Sequence, residues 1–127
     1  MDYQNRLVVV TGGANGIGRA TVESFLSSGA AVAFVDTDKE AGDKIVSRFE
    51  ANDVYFHHGD IAEETTLHAF AEAVKQRFGK VDYLVNNACI SKKGILSECS
   101  YQDFNYVLAL GVTAPYQLTS LFLPVFT

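Results

Sequence analysis

Four short apolar runs punctuate the chain, and each is followed by a stretch whose apolar residues recur at helical spacing. The first run, Leu7 to Val10, is a leucine and three valines with no polar break. Ala31 to Val35 and Val54 to Phe56 repeat the pattern, and Val81 to Val85 does so around one polar residue, Asp82. Runs this short and this β-branched read as strands buried on both faces. Between them, Gly16 to Ser28 reads as a helix with Ile17, Ala20, Phe25 and Leu26 facing inward, closed by Gly29 at the position after its end. Thr37 begins a capping box with Glu40, ahead of a stripe of Ala41, Ile45 and Phe49. Glu63 and Glu64 place negative charge at the start of a third helix, which carries Leu67, Phe70, Ala71 and Val74 and stops at Gly79. Ser100 and Asp103 open a last, largely apolar helix running through Pro115 towards Pro124, with a kink near the first proline, which has no N–H to donate. Parallel neighbours are what strands separated by helices must become, through right-handed crossovers. The predicted fold is therefore α/β, an open doubly wound parallel sheet in one domain over residues 1–127, with no linker or internal repeat.

Composition narrows the partners. Among the 127 residues 48% are hydrophobic and 20% charged, and the net charge is -5 with lysine and arginine scattered. That balance argues against nucleic acid or an anionic membrane. Cys89 and Cys99 fit neither a disulfide framework nor zinc spacing, which points to a reducing, cytoplasmic setting. The opening MDYQNR lacks the apolar core of a signal peptide, and no apolar run reads as long enough to span a membrane, so a soluble chain is expected. His57 and His58 are adjacent on a strand and face opposite ways, which gives them structural or surface roles and leaves no metal site. Cys89 reads as a small buried residue, and Lys92 and Lys93 as a solvated loop.

The densest chemistry lies where the first strand meets the first helix. TGGANGIG spaces Gly12, Gly16 and Gly18 as T-G-x-x-x-G-x-G, which is neither G-x-G-x-x-G nor a P-loop. Unpaired amides and the helix dipole make such a junction attractive to an anion, and glycine lets a pyrophosphate approach the backbone. The same turn is also consistent with a purely structural tightening of strand on helix. Asp36 ends the second strand about 20 residues further on, where a carboxylate accepts from ribose hydroxyls and repels a 2′-phosphate. Asp36-Thr37-Asp38 serves equally well as a helix cap.

Taken together, TGGANGIG, the GDI of Gly59 to Ile61 and the VDYLVNNA of Val81 to Ala88 resemble, in this order, the signature of the short-chain dehydrogenase/reductases. The resemblance runs over nearly the whole chain. It implies a Rossmann-like sheet with strand order 3-2-1-4 and a nicotinamide dinucleotide held by Gly12, Asn15, Gly16, Ile17, Gly18, Asp36, Asp60, Ile61, Asn87 and Ala88. In that scheme Asp60 bonds the adenine amino group, the Ile61 backbone meets the ring, and Asn87 and Ala88 lie along the ribose nearer the nicotinamide. Asp60 also suits a cap with Glu63, and Asn86 and Asn87 a turn. NAD is the expected cofactor, since the positions where the family places basic residues for a 2′-phosphate are Asn15 and Thr37.

The resemblance further implies an oxidoreductase interconverting a small alcohol and carbonyl, and here the chain departs from the pattern. Cys89 stands where the family carries glycine, and Gly111 where it carries an asparagine. The family's catalytic serine and Tyr-x-x-x-Lys pair have no counterpart: none of Tyr101, Tyr106 and Tyr116 is followed four residues on by lysine. The chain therefore reads as a cofactor-binding half, truncated before the catalytic segment and inactive alone, with no catalytic residue of its own. A non-catalytic dinucleotide-binding or regulatory module is the alternative. The strand at Val81 to Val85 is expected to have an open outer edge. The last helix carries Phe104, Val107, Leu108, Leu110, Val112, Leu118, Leu121, Phe122 and Val125 on more than one face, so a homo-oligomer is expected.

Overall fold

A computed structural model describes residues 2–90 and 98–127. Strands β1 (Leu7–Thr11), β2 (Ala31–Asp36), β3 (Val54–His58) and β4 (Tyr83–Val85) form a wholly parallel sheet in the order β3-β2-β1-β4. Helices α1 (Gly16–Ser27), α2 (Lys39–Arg48) and α3 (Glu64–Phe78) follow the first three strands. After β4 come α4 (Tyr101–Leu108), a π-helical turn (Ala109–Thr113), α5 (Ala114–Phe122) and a 3-10 turn (Leu123–Val125). Lys92 and Lys93 lie outside the described residues.

Period-two alternation in the central strands divides the core in two. Leu7 and Val9 of β1, with Ala33 and Val35 of β2, face α3 and α5, where they meet Phe70, Val74, Leu118 and Phe122. Val8 and Val10, with Val32 and Phe34, face α1 and α2, where they meet Val22, Leu26 and Ile45. All of β1 is buried, as its unbroken apolar run requires. Each such side chain removed from water contributes on the order of 1.5–3 kcal/mol.

Several local expectations shift. In α1 the inward stripe is Gly18, Val22 and Leu26, whereas Ile17 and Ala20 are exposed and Phe25 is half-buried. The helix is rotated because its first turn is pressed against β1 at Gly18, which points Ile17 away from the sheet. Asp38 caps α2 by accepting from the Ala41 amide at 3.0 Å, so the cap lies one residue beyond Thr37. Strand β3 extends two residues past Phe56, and Ser100 caps α4 as expected, accepting from the Asp103 amide. The proline disturbance takes the form of the π turn. Pro115 offers no N–H to the Gly111 carbonyl, and the wider turn upstream makes room for its ring.

By length and composition the helical run Tyr101–Val125 does reach what a membrane span needs, contrary to the sequence reading. In the fold its Leu110, Ala114, Leu118 and Phe122 stripe is buried in the sheet's core. The outer edge of β4 is also less open than expected. Val81 forms a parallel bridge with Phe126, its amide donating to the Val125 carbonyl at 2.9 Å and its carbonyl accepting from the Thr127 amide at 3.1 Å.

Asp82 ties the opposite end of the sheet together. Its carboxylate accepts from the Leu7 amide at 2.8 Å and the Thr127 hydroxyl at 2.6 Å, and pairs with Lys80 at 3.0 Å and Arg6 at 3.4 Å. Burial alone raises its pKa, but the bonds from Thr127, Leu7 and Lys80 outweigh that and hold it well below the usual carboxylate range. A carboxylate with a depressed native pKa adds stability at every pH above its unfolded value near 4, and loses it as the pH falls towards the native value. Asp82→Asn is therefore expected to lower the unfolding free energy by about 2 kcal/mol at pH 7, the scale of a charge-assisted bond. Urea melts should show that difference shrinking below pH 4; a constant difference down to pH 2 would contradict this account.

Candidate functional site

The carboxyl ends of all four strands converge on one cleft of about 440 Å³. Gly12, Asn15, Ile17, Asp36, Asp60, Ile61, Asn87 and Ala88 line it, so most of the predicted binding residues share one concavity. Crevices at this edge are where open α/β sheets hold ligands. Gly16 and Gly18 do not line the cleft. A Cβ on Gly18 would sit 1.9 Å from the Gly12 carbonyl oxygen, so this glycine is what lets α1 close onto β1. Gly16 has φ +59° and nothing within 4 Å of a Cβ placed on it, which leaves the turn open to its surroundings. Among the described residues no side chain bonds the first amides of α1, and its first turn holds no acidic residue. The positive end of its dipole therefore lies beside the cleft, which Ile17 lines.

Two aspartates present carboxylates to the cleft, each fixed by backbone amides. Asp36 accepts from the Ala14 amide at 3.0 Å and from the Asp38 amide at 2.9 Å, which joins the end of β2 to the glycine turn. It does not cap α2. Asp60 accepts from the Ala62 amide at 2.9 Å, while Glu63 occupies the cap position of α3. Asn15 donates its side-chain amide to Asp38 at 2.9 Å. That bond and the Ala41 amide lower the pKa of Asp38, the amide having the larger effect. The rim at the end of β2 is therefore strongly anionic.

The end of β4 is held by a residue to which the sequence reading gave no role. Thr11, 2% exposed, accepts from the Asn87 amide at 3.1 Å and the Ala88 amide at 3.0 Å through its hydroxyl. Asn87 in turn donates its side chain to the Gly12 carbonyl at 3.2 Å. The readable signal for Thr11 is a hydroxyl at the last position of an otherwise apolar buried strand. Tyr106 and Leu110 also reach the cleft from the last helical run, a contribution that only long-range packing reveals.

Cys89 is exposed and lines the cleft, where burial was expected, because it lies beyond the end of β4 rather than within the sheet. Gly111 is exposed in the π turn, and a Cβ placed on it would meet nothing within 4 Å among the described residues. His57 bonds the Tyr55 hydroxyl at 2.8 Å and His58 meets the Thr37 carbonyl at 3.1 Å. Desolvation, with the neighbouring His58, lowers the His57 pKa and favours its neutral form. Among the described residues no group of three or more histidine, cysteine, aspartate or glutamate side chains is placed to hold a metal.

The short chain dehydrogenase family model matches residues 6–127. The chain belongs to that family. It is 39% identical to the L-fucose dehydrogenase of Mus musculus over 123 residues, covering 96% of this chain and 44% of the relative. It is 38% identical to the 2,5-dichloro-2,5-cyclohexadiene-1,4-diol dehydrogenase of Sphingobium indicum over 116 residues, covering 91% of this chain and 46% of the relative. This short-chain dehydrogenase chain thus spans less than half the length of these relatives. Among solved structures, a Burkholderia phymatum short-chain dehydrogenase/reductase in complex with NAD superposes with a TM-score of 0.91 at 29% identity, covering 99% of this chain and 46% of that one. A metagenomic short-chain oxidoreductase in complex with NADP gives 0.90 at 29% identity, covering 97% and 57%. The family and the parallel 3-2-1-4 sheet are thereby established for this chain.

Replacing Thr11 by valine keeps shape but strands two amides in a nearly closed environment. Each unmet donor costs about 1–3 kcal/mol. Thr11→Val is expected to lower the denaturation midpoint by the equivalent of about 2–4 kcal/mol, read by urea titration. A change below about 0.5 kcal/mol would mean that Asn87 and Ala88 find other acceptors.

Proposed function

We propose that these residues form the dinucleotide half of an NAD-dependent oxidoreductase that interconverts a small alcohol and a carbonyl. The observation carrying this reading is the cleft itself, with the bare amino end of α1 beside Gly16 and the Asp36 carboxylate on one rim. An anion suits the first and a ribose diol the second. Asn15 and Ile17 flank the phosphates in this reading, Asp60 and Ile61 the adenine, and Asn87 and Ala88 the second ribose. When bound, the nicotinamide supplies the hydride chemistry. The chain's own residues bind and orient it.

NAD is favoured over NADP because Asp36 and Asp38 crowd the place a 2′-phosphate would take, and neither Asn15 nor Thr37 brings positive charge. No Tyr-x-x-x-Lys occurs in these 127 residues. Without a positioned acid or base the proton step loses roughly 10²–10⁴-fold from that effect alone. Titration calorimetry on the 127-residue protein is expected to give NAD(H) binding at least tenfold tighter than NADP(H), about 1.4 kcal/mol, with Asp36→Ala narrowing the gap. The same sample should show no saturable cofactor turnover across a panel of carbonyls. Tighter NADPH binding would reject the cofactor assignment, and clear turnover would reject the inactive half.

The assembly reading is a homo-oligomer in the cytoplasm, joined by a second copy of the same helix. Tyr101, Phe104, Leu108, Val112, Tyr116 and Leu123 are all exposed on the last helical run. From Tyr101 to Tyr116 they recur about every 3–4 residues, with Leu123 two turns further on, and contiguous apolar patches of this kind mark interfaces. Two such faces meeting about a two-fold axis cover each other. Sedimentation velocity at micromolar concentration is expected to show a dimer or larger species, and Val112→Glu a monomer. A well-behaved wild-type monomer would end this reading.

A further inference from the structure

Tyr106 lies one helical turn before Leu110, and both line the cleft. Its hydroxyl donates to Asp60 Oδ2 at 2.9 Å, while the Ala62 amide donates to Oδ1 at 2.9 Å. The two donors come from different places in the chain, the last helical run and the turn after β3. Either bond alone leaves the carboxylate free to turn about its Cβ–Cγ bond; together they fix its plane. Burial raises the Tyr106 pKa, and the bond to Asp60 and its charge raise it further, so the phenol stays a donor. Each carboxylate oxygen has two lone pairs, so one remains on each for a ligand.

We propose that Tyr106 is a positioning residue for purine recognition, locking Asp60 so that its remaining lone pair accepts from the 6-amino group of adenine and rejects a 6-oxo purine. The proposal rests on the dinucleotide reading above and names what sets its base selectivity. Hypoxanthine turns an oxygen towards the place of the amino group and carries a proton on the neighbouring ring nitrogen. A carboxylate free to turn can follow that proton; one clamped at both oxygens meets the oxygen instead, acceptor against acceptor. Selectivity thus comes from the clamp as much as from the charge.

The test compares NAD⁺ with nicotinamide hypoxanthine dinucleotide by titration calorimetry. The wild-type protein is expected to bind NAD⁺ at least tenfold more tightly. Tyr106→Phe, which keeps the ring and removes the donor, should bring the ratio to threefold or less, with NAD⁺ weakened and the hypoxanthine analogue unchanged or tighter. Asp60→Ala should also collapse the ratio, and adding Tyr106→Phe to it should change nothing more. A purely structural role would weaken both ligands equally and leave the ratio intact, which overturns the proposal. So does a wild-type ratio near one. Tyr106→Leu gives the same reading should the Phe variant lack a cooperative urea melt. If the wild type binds neither ligand, the dinucleotide reading fails first and takes this one with it; binding of NAD⁺ with a ratio indifferent to Tyr106 sinks this proposal alone.

Discussion

The carbonyl of Gly12 lies so close to the α-carbon of Gly18 that any side chain there would overlap it, and the architecture of the cleft depends on that approach. It sets the angle at which α1 leaves β1 and aims the helix's first amides at the crevice. The same carbonyl accepts the Asn87 side chain, and Thr11 beside it holds the Asn87 and Ala88 amides. The start of α1 and the end of β4, which lie far apart in sequence, are thus drawn to the same turn. A methyl group at Gly18 would also fall 2.6 Å from the Asn87 side-chain nitrogen, disturbing two of these contacts together.

Charge is arranged around this junction with a consistent logic. Asp36, Asp38 and Asp60 each accept a hydrogen bond from a nearby backbone amide, and these bonds orient their carboxylates at the rim. Oxygen lone pairs remain for hydroxyl or amino donors, while an added phosphate meets like charge. The opposite end of the sheet is built differently: Asp82 is nearly enclosed and draws Arg6 and Lys80 to itself. One end of the sheet spends its carboxylates on cohesion, and the other leaves them facing a cleft.

Much of the fold was legible because burial on both faces forces unbroken apolar strands, and β1 and β2 carry them. The capping residue at Ser100 was equally readable, since a cap is a local bond between neighbours. The inward face of α1 was not. Apolar spacing alone cannot distinguish Ile17, which borders the cleft, from Val22, which enters the core. Nor could spacing choose between Thr37 and Asp38 as a cap, because both offer an oxygen within two residues of the helix start. Thr11 was missed for a related reason: a single hydroxyl at a strand's end gains meaning only from the β4 amides that face it.

The sequence by itself determined the parallel βα alternation, the glycine-marked turn and the order of the motifs, because these follow from local periodicity and from residues whose backbone requirements are strict. Tertiary structure alone decided that Tyr106 meets Asp60 at a sequence separation of 46, that Cys89 faces the cleft, and that Phe126 begins to cover the edge beside Val81. These are contacts between segments whose separation along the chain carries no signal. Their geometry is set by how helices of fixed pitch and strands of fixed spacing pack on one another, and a periodicity read along one dimension does not contain that packing.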